Sequence, residues 1–461
     1  MRLFGKNIDI KQYFKDKDNR CLAVNVLGNY AVKGLAMIMS LLIMPAYMKY
    51  FKSKAVLGMW FTIIQLLDWI MIFDFGIGGG LRNKIIEPLK NNDKQRVTEL
   101  ISAAFISVGV IVLVLIIIQV FFVDSINWYV VLGIDSDEIN REVLNSMVHI
   151  LVVGVCVRFF TVLVSHILYA IQEAILPSLM TMLSSVVMVL YLYMSKPTGN
   201  DSDVLRLAFV NAIANNMPAM IVMIWLFATK LKGMFPRFSA FKFSVAKDVL
   251  GTGGVLFYLQ IIIMLLFNVK EIYISWFVGA AAVVEYQVYY KLLGMVGGLF
   301  ALSLTPVWSA VSKAVVEKKR EWIRGLYKKG VLLMFVFAVF GFLLLFLMPW
   351  IVKIWLKENA IQINFVYGLV FCFYNIVYMW VMLNFNFACG MDRTRIISIW
   401  LTIAGAVNLV LTFVGCYIYN SWIMVVSATT IAAIPCAIFV QMDIFFAIKS
   451  MDKLGEVKKN A

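Results

Sequence analysis

Histidine is nearly absent from this chain: His149 and His166 are its only two. Neither stands with a cysteine or carboxylate at metal-ligand spacing, so the sequence carries no signal for a metal centre. Cysteine is sparse too. Cys21, Cys156, Cys372, Cys389, Cys416 and Cys436 lie in or beside apolar stretches with no CxxC pair. They read as small buried apolar residues, not as a disulfide framework. Charge is scarce: 15% of the 461 residues are Asp, Glu, Lys or Arg, against about 25% in soluble domains. A nucleotide-binding motif, a Ser–His–Asp grouping and an extramembrane catalytic domain are all missing, so an enzyme is not expected. No cleavable signal peptide is evident, because residues 1–20 are polar and basic with apolar residues interspersed, without a continuous apolar core. They read as a cytoplasmic amphipathic leader, a helix lying in the membrane interface.

Apolar sequence is what the chain has in quantity, at 62% of all residues. Runs of about 20 apolar residues recur, the length that carries a helix across a bilayer. The alternating ten-residue segments of a barrel do not appear. The pattern predicts twelve spans, near 22–47, 55–80, 100–123, 143–170, 175–195, 207–229, 249–275, 281–308, 330–352, 362–388, 396–417 and 421–447. With the N-terminus inside, 29 of the 41 Lys and Arg fall on inner segments, 8 on outer ones and 4 within spans. That bias fixes both termini as cytoplasmic. The net charge of +15 is therefore read as topology, with basic loops held at an anionic leaflet, and not as nucleic-acid binding.

A basic break separates spans 6 and 7. The expected layout is a leader (1–20), a lobe of helices 1–6 (21–230), a cytoplasmic basic linker (231–248), a lobe of helices 7–12 (249–449) and a cytoplasmic tail (450–461). A weak repeat at an offset of 226 residues supports the halving: Trp60–Leu67 overlies Tyr286–Leu293, and Leu27-Gly28 overlies Gly253-Gly254. The predicted fold class is an all-α polytopic membrane protein, about 12 transmembrane helices in two six-helix lobes around a central cavity.

Charges inside the spans are the functional clue, since each costs roughly 2.5–3.5 kcal/mol to insert. Lys33, Asp68, Arg158 and Lys291 fall near the middle of spans 1, 2, 4 and 8. Counted from Phe51, Lys33 is 18 residues back and Asp68 is 17 forward, so the two reach similar depth. They form either a structural ion pair or two groups lining an aqueous cavity. Arg158 and Lys291 have no carboxylate at that depth on their own spans, which predicts a positive surplus that calls for water or an anionic ligand. Lys270, Glu271 and Glu285 are placed nearer the outer face, where Lys270 and Glu271 are expected to pair or Lys270 to snorkel. Tyr286 and Tyr290, at i and i+4, share a helix face and read as a cavity lining for sugar rings or as packing. The run Gly76-Ile77-Gly78-Gly79-Gly80 lacks the third glycine of G-x-G-x-x-G and no strand precedes it, so it predicts close helix packing or a kink, not a phosphate loop.

At these residues the chain resembles the bacterial polysaccharide (O-antigen type) flippases. They belong to the multidrug/oligosaccharidyl-lipid/polysaccharide (MOP) exporter superfamily, which also holds the multidrug and toxin extruders (MATE) and the lipid II flippases. The likeness lies in Asn29-Tyr30, Lys33-Gly34, Leu42-Ile43-Met44-Pro45, Leu57-Gly58-Met59-Trp60 and Asp74-Phe75-Gly76-Ile77-Gly78 leading to Leu81-Arg82-Asn83-Lys84. It continues in Gly253, Gln260, Glu285-Tyr286, Lys291-Leu292 and the run from Pro306 to Ala314. It implies a transporter of the bacterial inner membrane that moves an undecaprenyl-pyrophosphate-linked oligosaccharide, as in O-antigen and lipopolysaccharide synthesis, by alternating access. Arg158, Lys33, Lys291 and Lys270 would meet the anionic head group. Asp68, Asp74, Glu271 and Glu285 are the carboxylates available to a coupling proton or sodium ion, Arg82 joins Asp74 at an inner gate, and no other cofactor is expected. Polysaccharide polymerases and assembly proteins are implied partners. The alternatives are a MATE-type cation or drug antiporter, which wants a carboxylate-rich or apolar cavity, and a membrane-embedded polymerase, which wants a larger outer loop than 124–142.

Overall fold

The computed structural model describes residues 2–3, 6–7, 17–71, 76–171, 173, 175–199, 201–250, 254–304 and 307–450. The side chains of 17–31, Lys33, Leu250, 254–256, Ser309, Lys313 and Val316 are outside that description. In chain order the helices are α1 (Lys17–Tyr50), α2 (Lys54–Ile70), α3 (Ile77–Lys90), α4 (Lys94–Phe122), α5 (Trp128–Leu132), α6 (Arg141–Ala170), α7 (Ile175–Met194), α8 (Asp201–Ala228) and α9 (Phe243–Leu250). They continue with α10 (Gly254–Phe267), α11 (Lys270–Phe277), α12 (Ala280–Ser303), α13 (Val307–Val316), α14 (Arg320–Leu356), α15 (Phe365–Gly390), α16 (Thr394–Tyr419) and α17 (Ile423–Ser450). Local chemistry sets several ends. Asp93 caps α4 by accepting from the Arg96 amide at 2.9 Å, and Asn140 caps α6 through the Glu142 amide at 2.8 Å, each satisfying a first-turn donor. Gly133 and Asn420 stop α5 and α16 in the left-handed region, as C-terminal glycine and asparagine commonly do.

Eight of these helices are long and apolar enough to cross a membrane, and α10 with α11 adds a ninth as a span bent by 41°. Each of the twelve expected spans coincides with a helix or a helix pair. The chain is a multi-pass all-α membrane protein. Exposed apolar side chains such as Leu113, Phe121, Leu332, Phe335 and Phe346 are then the surface offered to lipid.

Three expected spans are not single helices. Span 2 is divided between α2 and α3, the latter entered from Gly76 at φ 75°. Span 7 is broken at Asn268–Val269. Span 8 ends at Ser303, and 307–316 forms a separate helix. In the leader, Arg2–Leu3 pairs antiparallel with Lys6–Asn7, and 8–16 are outside the described residues.

Two compact units emerge. The first comprises Met1–Tyr50, Ile70–Ile126 and Asn140–Gly254. Here α6 packs on α8 and α1 on α7. The α6–α8 contact is close because Gly154 faces Ala212, and Asn216 Nδ2 donates to the carbonyls of Gly154 at 2.9 Å and Ala212 at 2.8 Å. Small residues and a bridging amide are how apolar helices associate in lipid. The segment read as a basic linker is tied to α4 of this unit: Lys242 bonds the buried Glu99 at 2.5 Å, and the Arg237 amide donates to Ser102 at 2.9 Å.

The second unit comprises Phe51–Trp69, Asn127–Ile139 and Val255–Ala461. Two segments that the sequence reading assigns to the first lobe therefore cluster with the C-terminal helices. The Ala280 amide donates to the Gly133 carbonyl at 3.2 Å, Trp276 Nε1 to the Val131 carbonyl at 2.7 Å, and Gly58 lies so near Ala280 that a Cβ would stand 1.7 Å from its carbonyl oxygen.

Candidate substrate and ion sites

In the second unit the broken span organises a polar group. Interrupting a helix frees backbone carbonyls, and an unsatisfied one in hydrocarbon costs several kcal/mol. Two of the carbonyls at this break are met by side chains. The Lys270 ammonium, fully buried, donates to the Phe267 carbonyl and to the Tyr374 hydroxyl at 3.0 Å, and it sits 4.5 Å from the centre of the Tyr374 ring. Trp69 Nε1 of α2 donates to the Asn268 carbonyl at 3.0 Å.

Glu271 follows directly, 4% exposed, accepting from Gln287 Nε2 of α12 at 3.1 Å. The expected Lys270–Glu271 pair does not form. Consecutive helical residues diverge by about 100°, so the lysine turns to the break and the glutamate to α12. Glu271 lies within the electrostatic reach of Lys270, Asp68 and Lys291. The break thus brings Glu271 of span 7 within electrostatic reach of Lys291, whose own span carries no carboxylate at that depth. The aromatic lining is wider than expected: Tyr286 and Tyr290 stack with centroids 5.7 Å apart, and Tyr374 and Tyr378 stack at 6.1 Å. Tyr286 is 1% exposed and Tyr290 is 40% exposed, so of that pair only Tyr290 offers an open ring. Tyr374, Tyr378 and Gln287 escaped the sequence reading, although Tyr374 and Tyr378 repeat the i, i+4 signal of Tyr286 and Tyr290. Glu285 lines a different cavity of about 410 Å³, with Lys54 and Gln362.

In the first unit, Arg158 lies on α6 beside a mixed polar and apolar cavity. It lines a cavity of about 160 Å³ with Thr161, Ser165, Thr181, Ser184, Ser185 and Asn215 among its walls. Positions 158, 161/162 and 165 recur at helical spacing on α6, 181 and 184/185 on α7, and 215 and 219 on α8, so three helix faces converge. These hydroxyls and amides were legible as polar residues within apolar spans, but a search for charge alone passes over them. Arg82 stacks on Tyr169, its guanidinium carbon 5.2 Å from the ring centre. Asp74, its expected gate partner, is outside the described residues, as is the side chain of Lys33. The glycine run packs as expected: a Cβ on Gly78 would stand 2.2 Å from the His166 ring, and one on Gly80 2.1 Å from the Val249 carbonyl oxygen. His149 bonds Asp124 at 3.1 Å through Nε2.

A family described as polysaccharide biosynthesis protein matches residues 22–309. No curated protein matches the chain in sequence. Among solved structures, the chain is similar to an inward-facing multidrug resistance MATE family transporter of the MOP superfamily, with a TM-score of 0.67 at 15% identity over 91% of this chain and 95% of that one. An outward-facing structure of a transporter of the same description gives 0.61 at 14% identity, over 97% and 100% of the two chains. A MOP superfamily transporter from Pyrococcus furiosus, for which a reversed polarity of the binding pocket is reported to suggest a different function, gives 0.58 at 15% identity over 96% and 99%. At such identities the likeness is one of fold, and the fold is that of the MATE transporters.

Proposed function

The chain belongs to the polysaccharide biosynthesis protein family, and from that premise we propose that it is a flippase carrying an undecaprenyl-pyrophosphate-linked oligosaccharide across the bacterial inner membrane. The observation that carries this reading is the setting of Arg158: a guanidinium on a membrane span, in a cavity whose walls include five hydroxyls and the Asn215 amide. Such a lining suits anions and sugar hydroxyls. A lipophilic cation would meet like charge there, which disfavours a MATE-type drug antiporter despite the shared fold. A transporter also fits the family and the fold better than a membrane-embedded polymerase does.

The Glu271 group supplies a means of ion coupling. Asp68 and Glu271 carry two formal negative charges, and Lys270 and Lys291 two positive ones, so the group is balanced when all four are ionised. Uptake of a proton or sodium ion by either carboxylate makes it net positive and favours the pyrophosphate; loss of that ion favours its release. Alternating exposure of the cavity while the lipid tail stays in the bilayer completes the cycle. Polymerases and assembly proteins that consume the exported unit are the proposed partners.

The test is complementation of a bacterial strain lacking its polysaccharide flippase, with the cognate glycan genes supplied. The wild type is expected to restore surface glycan. Arg158→Ala and Lys291→Ala are expected to lose at least about ten-fold, the worth of one charge-assisted contact, at normal membrane levels. Full complementation by both variants sinks the site assignment, and failure of the wild type sinks the flippase reading.

A further inference from the structure

We infer that the segment between α8 and α10, from Arg237 to Lys247, is a docking surface for anionic phospholipid. Phe238 and Phe243 enter the acyl region, and Arg237 and Lys247 meet the lipid phosphate. Read from sequence, the stretch is simply basic; folded, it has a depth and a face.

Depth follows from its ties to α4. Glu99 is the last charge on that helix. The Arg237 amide donates to Ser102 at 2.9 Å, which lies beyond Glu99 by about 4.5 Å along the axis. Phe235 stacks on Phe227 of α8 with centroids 5.6 Å apart, and Phe227 meets Phe105 of α4 edge-on at 6.2 Å, a turn deeper than Ser102. The segment is therefore held where α4 passes from polar to apolar, which in a bilayer is the boundary between head groups and acyl chains.

The outer face of the segment is aromatic. Phe238 is 88% exposed and Phe243 76%, while the smaller Val245, Ala246 and Val249 are buried as α9 packs on α3 and α4. Phe243 and Lys247 stand at i and i+4 and share one side of α9. Phe238 adjoins Arg237 in sequence, so each ring has a cation beside it.

Charge selects the lipid. Lys230 is taken by Glu173 at 3.7 Å, Lys242 by the buried Glu99, and Asp248 turns to Lys84 at 3.9 Å. Among the described residues neither Arg237 nor Lys247 pairs with a carboxylate, and both are exposed. The Arg237 guanidinium donates through Nη2 to the Gly233 carbonyl at 3.2 Å and keeps further donors for a phosphate. Aromatic rings with unpaired cations at this depth are the pattern that holds a segment to an anionic leaflet. A protein partner would need a wider surface than two rings provide.

The test uses the purified full chain in detergent, carrying Phe238→Cys labelled with bimane; the described native cysteines are buried and label slowly. Dibromo-phosphatidylglycerol and dibromo-phosphatidylcholine are titrated as quenchers, with free glycerol phosphate as competitor. Phosphatidylglycerol is expected to reach half-quenching at about a twenty-five-fold lower concentration than phosphatidylcholine, about five-fold for each cation. Arg237→Gln or Lys247→Gln alone is expected to cut that preference to about five-fold, and the double variant to erase it. Phe243→Ser is expected to weaken both lipids at least about ten-fold. Glycerol phosphate at equal concentration is expected not to compete, since it brings the charge without the chains. Equal quenching by the two lipids, no quenching by either, competition by glycerol phosphate, or a preference that survives in the double variant each overturns the proposal. All four substituted side chains are exposed, and helicity equal to wild type by circular dichroism assigns any loss to the surface and not to folding.

Discussion

Gly78, Gly79 and Gly80 are consecutive, sit in the first turns of one helix and differ only in what stands opposite. A methyl group at Gly80 would approach the Val249 carbonyl oxygen to 2.1 Å and its carbon to 2.9 Å. Both are backbone atoms of α9, so relief requires the helix to retreat by about an ångström. Overpacking of that kind costs about 1–3 kcal/mol. At Gly78 the obstacle is the His166 ring at 2.2 Å, a side chain that can rotate, and the penalty is smaller. At Gly79 nothing lies within 4 Å, so alanine gains up to about 1 kcal/mol by restricting the unfolded chain. Purified Gly78→Ala, Gly79→Ala and Gly80→Ala variants, heated in one detergent with tryptophan fluorescence as the signal, are expected to rank Gly79→Ala at or above wild type, then Gly78→Ala, then Gly80→Ala. Ranking at a fixed scan rate is the proper readout, because membrane proteins of this size commonly unfold irreversibly. A Gly79→Ala variant that melts with or below Gly80→Ala refutes the assignment of which glycine faces its neighbour.

Two further outcomes are expected from the broken span. Glu271→Gln keeps a hydrogen-bonding partner for Gln287 but removes one negative charge from the balanced group. Glycan export is expected to lose its dependence on external pH or sodium while membrane insertion stays normal, and an unchanged ion dependence rejects Glu271 as the coupling carboxylate. Trp69→Phe retains the aromatic bulk and withdraws the donor that meets the Asn268 carbonyl. About 1–2 kcal/mol of stability is expected to be lost, seen as a lower melting temperature; a melting temperature equal to wild type shows that another donor meets that carbonyl.

Most spans were legible because hydrophobic length is a local property: eight of the twelve coincide with single helices long and apolar enough to cross a bilayer, and a ninth with the bent pair. Breaks were less so. Nothing apolar or polar in Phe267-Asn268-Val269-Lys270 announces a bend, because the evidence for it lies in partners remote in sequence: Trp69 from α2 and Tyr374 from α15. The nearness of Glu271 to Lys291 was hidden by the same gap, since the two residues stand on different spans. At the Arg158 site the cation was visible and its companions were not. A serine or threonine in a span is ordinary when read alone, and only the convergence of α6, α7 and α8 turns several of them into one surface.

Those hydroxyls also have an evolutionary consequence. Each is satisfied within its own helix, so exchanging serine, threonine and alanine at 181, 184 and 185 leaves no backbone group stranded and disturbs no neighbouring helix. The chemistry that greets a ligand can drift one substitution at a time while the bundle stays as stable as before. A lineage carrying such a pocket can change what the pocket accepts in small steps, without first losing a folded transporter.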